Sequence, residues 1–241
     1  MTLISISILI SCLSVMAVRG RRGPWPPGLP VARPRLSAAG GTFEGSHGRP
    51  SDEYVIQERL IAVADGGGRG RPGHTAAALA LGAVVAARPQ MAGTRAEELG
   101  SCARTAWRAA LRAEPALAEE ATGLDLIVLD VGEHPRLRYA HVGGGAIWHC
   151  AKGGRPRRLT AAGTGQSGTA APEIGSVPLR QGDRVVVVTD GVVRALGLER
   201  LLELFADGRS PTACLDQLYD ELSVLEPDED ATMLVADFVS A

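Results

Sequence analysis

Short apolar runs separated by turn residues dominate this sequence, and two of them end in the same way. Leu60–Ala64 runs into Asp65 and Gly66, and Val185–Thr189 runs into Asp190 and Gly191. Apolar runs of this length, bounded by turn residues, read as strands. A carboxylate that closes a buried strand needs a reason to be there. For either Asp-Gly pair alone the ordinary reading is a solvated turn, because the pair is common in turns.

Further strand-like segments lie at Glu53–Ile56, Leu124–Val131, Leu137–Val142, Ala146–Cys150 and Thr232–Val239. Helical patterns cover roughly 73–88, 94–112, 193–206 and 211–225, and Pro89 closes the first because proline disfavours helix just before itself. Strands that follow one another directly through 124–150 suggest antiparallel pairing rather than βαβ winding. Residues 19–40, RGRRGPWPPGLPVARPRLSAAG, are rich in Pro, Gly and Arg and read as an irregular leader. The expected division is therefore a leader at 1–40 and a folded domain at 41–241.

With 241 residues, 45% of them apolar and 22% charged, the chain can bury one good core. A net charge of −2 argues against a broad nucleic-acid surface. Cys12, Cys102, Cys150 and Cys214 lie far apart, without zinc-knuckle or CxxC spacing, and the histidines form no HExxH pattern. Reduced thiols in a cytoplasmic protein are expected, and any metal should be a hard ion held by oxygen. The first 18 residues are apolar but lack a leading basic region. They read as a signal, a membrane anchor or a wrongly assigned start, and the arginines that follow would keep an anchored domain cytoplasmic.

The glycine-rich stretch after Asp65 admits two readings. Gly68–Thr75, GRGRPGHT, fits a nucleotide-binding P-loop between a strand and a helix, except that His74 stands where lysine belongs. A largely neutral histidine cannot supply the fixed charge that phosphates need. The other reading joins Asp65 to further strand-end carboxylates: Asp52, Asp190, and the pair Glu229 and Asp230 at the mouth of the last strand. Four acidic positions from distant segments could converge at one edge of a sheet, and hard divalent cations need such clusters of carboxylate oxygens.

At this point the sequence resembles the metal-dependent protein phosphatase (PPM) family, also called protein phosphatase type 2C. LIAVADGGG is similar to that family's first Asp-Gly strand, LRQGDRVVVVTDGVVRAL to its second, and EDATMLVADF to its terminal acidic-x-Thr strand. RLRYAHVGGGAIWHCAKGGRPRRLT has the spacing of the central hairpin, and the match runs from about residue 41 to the C-terminus. SDEYV and TDGVVRALGLERLLELF look most like the bacterial regulators of sporulation and stress sigma factors.

The resemblance implies an α+β fold, a four-layer αββα sandwich of two antiparallel sheets flanked by helix pairs. It implies metal-dependent hydrolysis of phosphoserine or phosphothreonine in a regulatory protein, such as an anti-sigma-factor antagonist or a kinase target. Two Mg²⁺ or Mn²⁺ ions would share a hydroxide that attacks in line. By the same resemblance Asp65 would bridge both ions and the Gly66 carbonyl would bind one. Asp190 with Glu229 or Asp230 would hold the other, and Asp52 would complete the site. A monomer that engages no nucleic acid is expected.

Three departures accompany the match. Glu229 stands where the family has aspartate, with Asp230 next to it. Gly143, Gly144 and Gly145 replace Gly-Asp-Ser, which removes an acidic ligand for an accessory third metal. His47 takes the place of a phosphate-gripping arginine, which Arg49 nearby could supply. These departures leave open a degenerate phosphatase fold that binds a phosphoprotein or partner without turning it over. His141, Trp148 and His149 alternate along the hairpin and read as packing or surface residues. Arg155, Arg157 and Arg158 read as a solvated basic cluster placed where a phosphoprotein could dock.

Overall fold

A computed structural model of the protein describes residues 33–46, 50–67, 71–91, 95–113, 123–161 and 171–240. In chain order these form β1 (Arg35–Phe43), β2 (Asp52–Ile56), β3 (Leu60–Asp65), α1 (Arg71–Ala87), α2 (Ala96–Ala113), β4 (Gly123–Asp130), β5 (Arg136–Val142) and β6 (Ala146–Cys150). There follow β7 (Arg157–Arg158), β8 (Glu173–Pro178), β9 (Arg184–Val188), α3 (Asp190–Ala206), α4 (Pro211–Leu225) and β10 (Ala231–Val239).

The strands make two five-stranded sheets, β1-β10-β9-β6-β7 and β2-β3-β4-β5-β8. Each pairing in them is antiparallel. A P-loop fold needs a parallel βαβ crossover, so the nucleotide-binding reading of Gly68–Thr75 fails on topology. Residues 68–70 of that stretch lie outside the described residues.

The unbroken apolar runs follow from burial on both faces. Leu60, Ala62 and Ala64 pack on α1 and α2, with Ala76, Ala77, Ala80 and Trp107. Ile61 and Val63, pointing the other way, meet Val185, Val187, Leu234 and Phe238 of the opposite sheet. On the outer face of that sheet, Val186, Val188, Met233 and Val235 pack against Leu201, Phe205, Leu215 and Leu218 of α3 and α4. Three apolar layers between four layers of secondary structure give the αββα sandwich. Alanine on α1 lets that helix approach the sheet closely.

Several boundaries differ from those the patterns suggest. Residues 35–40, expected in an irregular leader, form most of β1 and pair with β10 from Arg35 opposite Val239 to Gly40 opposite Leu234. The strand was hidden by its small residues, and neighbours explain those residues. A Cβ on Gly41 would lie 2.3 Å from the Tyr219 hydroxyl, and one on Gly40 would lie 2.9 Å from Leu234. In β8, likewise unforeseen, Gly175 lies under the Tyr139 ring. Helix α3 starts at Asp190, three residues before the periodic pattern, and Gly197 kinks it with φ 73°. Helix α4 starts as expected, with Pro211 in its first turn and the Ser210 hydroxyl accepting from the Ala213 amide. Among the described residues no helix is long and apolar enough to cross a membrane. Residues 1–18, read as signal, anchor or wrong start, lie outside the described residues.

Candidate metal centre

Side chains alternate along a strand, so register decides which carboxylates share a face. In β3 the inward parity of Ile61 and Val63 carries on to Asp65. Antiparallel pairing sets Asp52 of β2 directly opposite Asp65. Both aspartates therefore face the space between the sheets at one end of it. The other sheet contributes Asp190 where β9 gives way to α3. Thr189, just before it, is locked to the last strand: its amide donates to the Thr232 carbonyl at 3.0 Å, and its hydroxyl accepts from the Thr232 amide at 3.0 Å. Thr232 in turn shares a hydroxyl contact of 2.8 Å with Thr42.

The electrostatics of this cluster are those of carboxylates short of positive charge. Burial pushes Asp52 up to about 7. The Thr232 and Thr189 hydroxyls oppose the rise, and the charges of Asp230 and Asp190 add to it. Asp65 is raised well above the ordinary range by burial, by the charges of Asp52 and Asp190, and by a hydrogen bond with the Asp190 carboxyl. Only its bond from the Gly67 amide, at 2.9 Å, favours the ionised form. The Oδ2 atom of Asp52 is buried and has no hydrogen-bond partner. Groups like these either hold protons or hold cations.

The acidic pair before β10 divides its duties. Both oxygens of Asp230 serve the loop between β1 and β2: Oδ1 accepts from the Gly45 amide at 2.9 Å, and Oδ2 accepts from the Ser51 amide and hydroxyl. Glu229 is half exposed and paired with Arg194, whose guanidinium also holds Asp190. Asp230 is thus near Asp52, while Glu229 reaches Asp190 through an arginine. Arg49 and His47 lie outside the described residues.

The glycines of the two Asp-Gly pairs are not turn residues. Neither is among the glycines with positive φ. A Cβ on Gly66 would lie 2.0 Å from the Gly73 carbonyl oxygen at the start of α1, and one on Gly191 would lie 2.0 Å from the Asp230 carbonyl oxygen. Close backbone approach requires glycine at both places, and it holds Asp65 and Asp190 at the sheet ends. The solvated-turn reading of the pairs therefore fails. In the glycine triad, a Cβ on Gly144 would come 2.9 Å from Asp190 Oδ2, and one on Gly145 would come 2.5 Å from Asp125 Oδ2.

Two features escaped the sequence reading. Asp125 and His141 form a buried pair with Oδ1 and Nδ1 2.6 Å apart, next to Gly145 on the inner face of the sheet. Asp125 interrupts an apolar strand, and that was the available signal. Arg194 stands four residues after Asp190 in α3, a spacing that brings the two side chains together on a helix.

Among the described residues no three acidic, histidine or cysteine side chains already close around one point. The reason is visible: Asp190 is drawn to Arg194, and Asp230 to the loop. The donor set still suits a hard cation, because it offers carboxylate oxygens from both sheets and an unpartnered buried oxygen on Asp52.

Two antiparallel sheets face to face, each backed by a helix pair, with carboxylates of both sheets meeting at one end, define the PPM-type phosphatase class. The chain belongs to the family described as Stage II sporulation protein E (SpoIIE), whose profile matches residues 57–239. Its fold is that of the Mycobacterium tuberculosis serine/threonine phosphatase PstP/Ppp, at 20% identity over 86% of this chain and 100% of that one, with a TM-score of 0.68. The catalytic domain of PstP in complex with two manganese ions gives 20% identity, the same coverages and a TM-score of 0.69. RsbX in complex with magnesium gives 15% identity over 85% of this chain and 96% of that one, with a TM-score of 0.64. None of the curated proteins matches the sequence.

Proposed function

We propose that the chain is a metal-dependent phosphatase that hydrolyses phosphoserine or phosphothreonine in a regulatory bacterial protein. The observation that carries this reading is the convergence of Asp52, Asp65 and Asp190 from two sheets, with burial and mutual charge raising the first two. Asp65 has an acidic neighbour on either side, as a residue shared by two Mg²⁺ or Mn²⁺ ions requires. The Gly66 carbonyl would serve one ion and Asp190 with Asp230 or Glu229 the other, with Asp52 completing the site. Bound there, the ions would make water a nucleophile near neutral pH and stabilise charge on the phosphoryl oxygens.

The chain's own residues hold this arrangement in place. The Thr189–Thr232 bonds fix where β9 ends, and Asp230 ties the β1–β2 loop to the mouth of β10. Gly66 and Gly191 let the backbone of Gly73 and of Asp230 pass close beside the residue that follows each aspartate. Arg49 is the further residue assigned to the phosphate. The substrate is an anti-sigma-factor antagonist or another protein phosphorylated by a kinase.

The second reading, a phosphatase fold that binds a partner without catalysis, is favoured by Arg194 engaging Asp190 and Glu229 and by the bare Gly143–Gly145 triad. One experiment separates the two. Purified protein is given a phosphopeptide or a small aryl phosphate with Mn²⁺ or Mg²⁺, then with excess chelator. Metal-dependent phosphate release that the chelator abolishes supports the enzyme. Inert, folded, metal-loaded protein supports the binding module.

A further inference from the structure

Resting on the phosphatase reading, we propose that Arg194 is a substrate-binding residue that grips the phosphoryl group. Its guanidinium spans the outer rim of the acidic cluster, with Nη2 on Asp190 and Nη1 on Glu229. The side chain is 55% exposed and Glu229 51% exposed, so the fork stands open to solvent rather than sealed beneath the site. Among the described residues these two contacts use one hydrogen from each terminal nitrogen, and a guanidinium carries five N–H donors.

Gly144 lies beside the same Asp190 oxygen, Oδ2, that Arg194 holds. Its Cα lies so near that a Cβ would come 2.9 Å from Asp190 Oδ2, and glycine leaves that approach clear of side chain. A phosphoryl group beside Asp190 would meet the guanidinium on its Glu229 side. A phosphate dianion entering a cluster of carboxylates needs fixed positive charge, and the planar fork of arginine matches phosphate oxygens two at a time. The pair with Glu229 is half exposed at both ends, and such a pair exchanges at little cost. Both pairs pre-orient the fork, which lowers the entropy lost on binding.

The test uses the full chain and inorganic phosphate as probe. Phosphate dissociation constants are measured by calorimetry on Mn²⁺-loaded wild type, Arg194→Ala, Arg194→Gln and Arg194→Lys, together with Mn²⁺ affinity of each. Arg194→Ala and Arg194→Gln are expected to weaken phosphate binding about 10- to 100-fold, as loss of charge-assisted hydrogen bonds implies. Mn²⁺ affinity should stay level or rise, because a competitor for Asp190 is gone. Arg194→Lys should lie between, since it keeps the charge and loses the fork. Unchanged phosphate binding in Arg194→Ala overturns the proposal. So does a parallel fall of Mn²⁺ and phosphate affinity in both neutral variants, which marks Arg194 as structural. Wild-type protein that binds no Mn²⁺ defeats the phosphatase reading itself, an outcome separate from failure of Arg194 alone.

Discussion

Asp52 and Asp65 stand opposite one another on neighbouring antiparallel strands, both facing the space between the sheets. Like charges directly opposite destabilise a strand pair, and burial raises both groups here. A cation between them would relieve the repulsion. Thermal unfolding should therefore shift upward with Mn²⁺. The gain in stability should reach about 2.7 kcal/mol when free metal is a hundred times its dissociation constant. Calorimetric scans across a metal titration check this, and a midpoint indifferent to Mn²⁺ would count against the site.

Asp65→Asn removes the shared charge with little change of shape. The expected result is loss of the Mn²⁺-induced shift and a fall in turnover of at least about 100-fold, the upper end of what even outer-shell changes cost at metal sites. Circular dichroism of the metal-free variant should match wild type. Near-normal Mn²⁺ binding by this variant would exclude Asp65 as a ligand.

Gly66→Ala tests whether the first Asp-Gly pair is there for packing. A Cβ placed 2.0 Å from the Gly73 carbonyl oxygen forces α1 and the end of β3 apart. Overpacking of this kind costs about 1–3 kcal/mol, measurable by denaturant unfolding. Gly82→Ala, where a Cβ would meet nothing within 4 Å, is the control and should not destabilise.

The Asp125–His141 pair predicts a pH dependence of stability. Burial pulls the His141 pKa down, and the Asp125 charge and hydrogen bond more than reverse this, so the net shift is upward. Glu173 raises it further and Arg158 opposes. A histidine raised on folding binds its proton more tightly in the folded state. Its contribution is fully present below about pH 6.5 and is lost as pH climbs through the folded-state value. Unfolding free energy measured upward from about pH 6 should fall, and His141→Gln should remove that slope. His141→Ala, which leaves Asp125 buried and unpaired, should cost about 3–5 kcal/mol.

Deletion of residues 1–40 would remove Leu36 from the core and strip β10 of its partners from Arg35 to Gly40. Such a chain should unfold at lower denaturant than one shortened only through residue 32. Equal midpoints would show that the first half of β1 contributes nothing to the sheet.

Strand positions were legible because strands buried on both faces need unbroken apolar residues, as in Leu60–Ala64 and the valines of β9. The two strand-end aspartates were legible for the same reason, since a carboxylate stops such a run abruptly. The edge strands β1, β7 and β8 escaped, while β2 did not. Arg35–Phe43 carries few branched residues, and its glycines make sense only beneath Tyr219 and Leu234. Composition cannot announce a neighbour that arrives from almost two hundred residues away.

What the sequence alone determined is the order of strands and helices and the set of acidic residues available to a site, because periodicity and residue type are local properties. The layered sandwich was what the family resemblance implied. Tertiary structure decided how those residues are used. Register put Asp52 against Asp65, a loop claimed both oxygens of Asp230, and one helical turn carried Arg194 to Asp190 and Glu229. Each outcome depends on distances between segments far apart in the chain, and only the packed sheets set those distances.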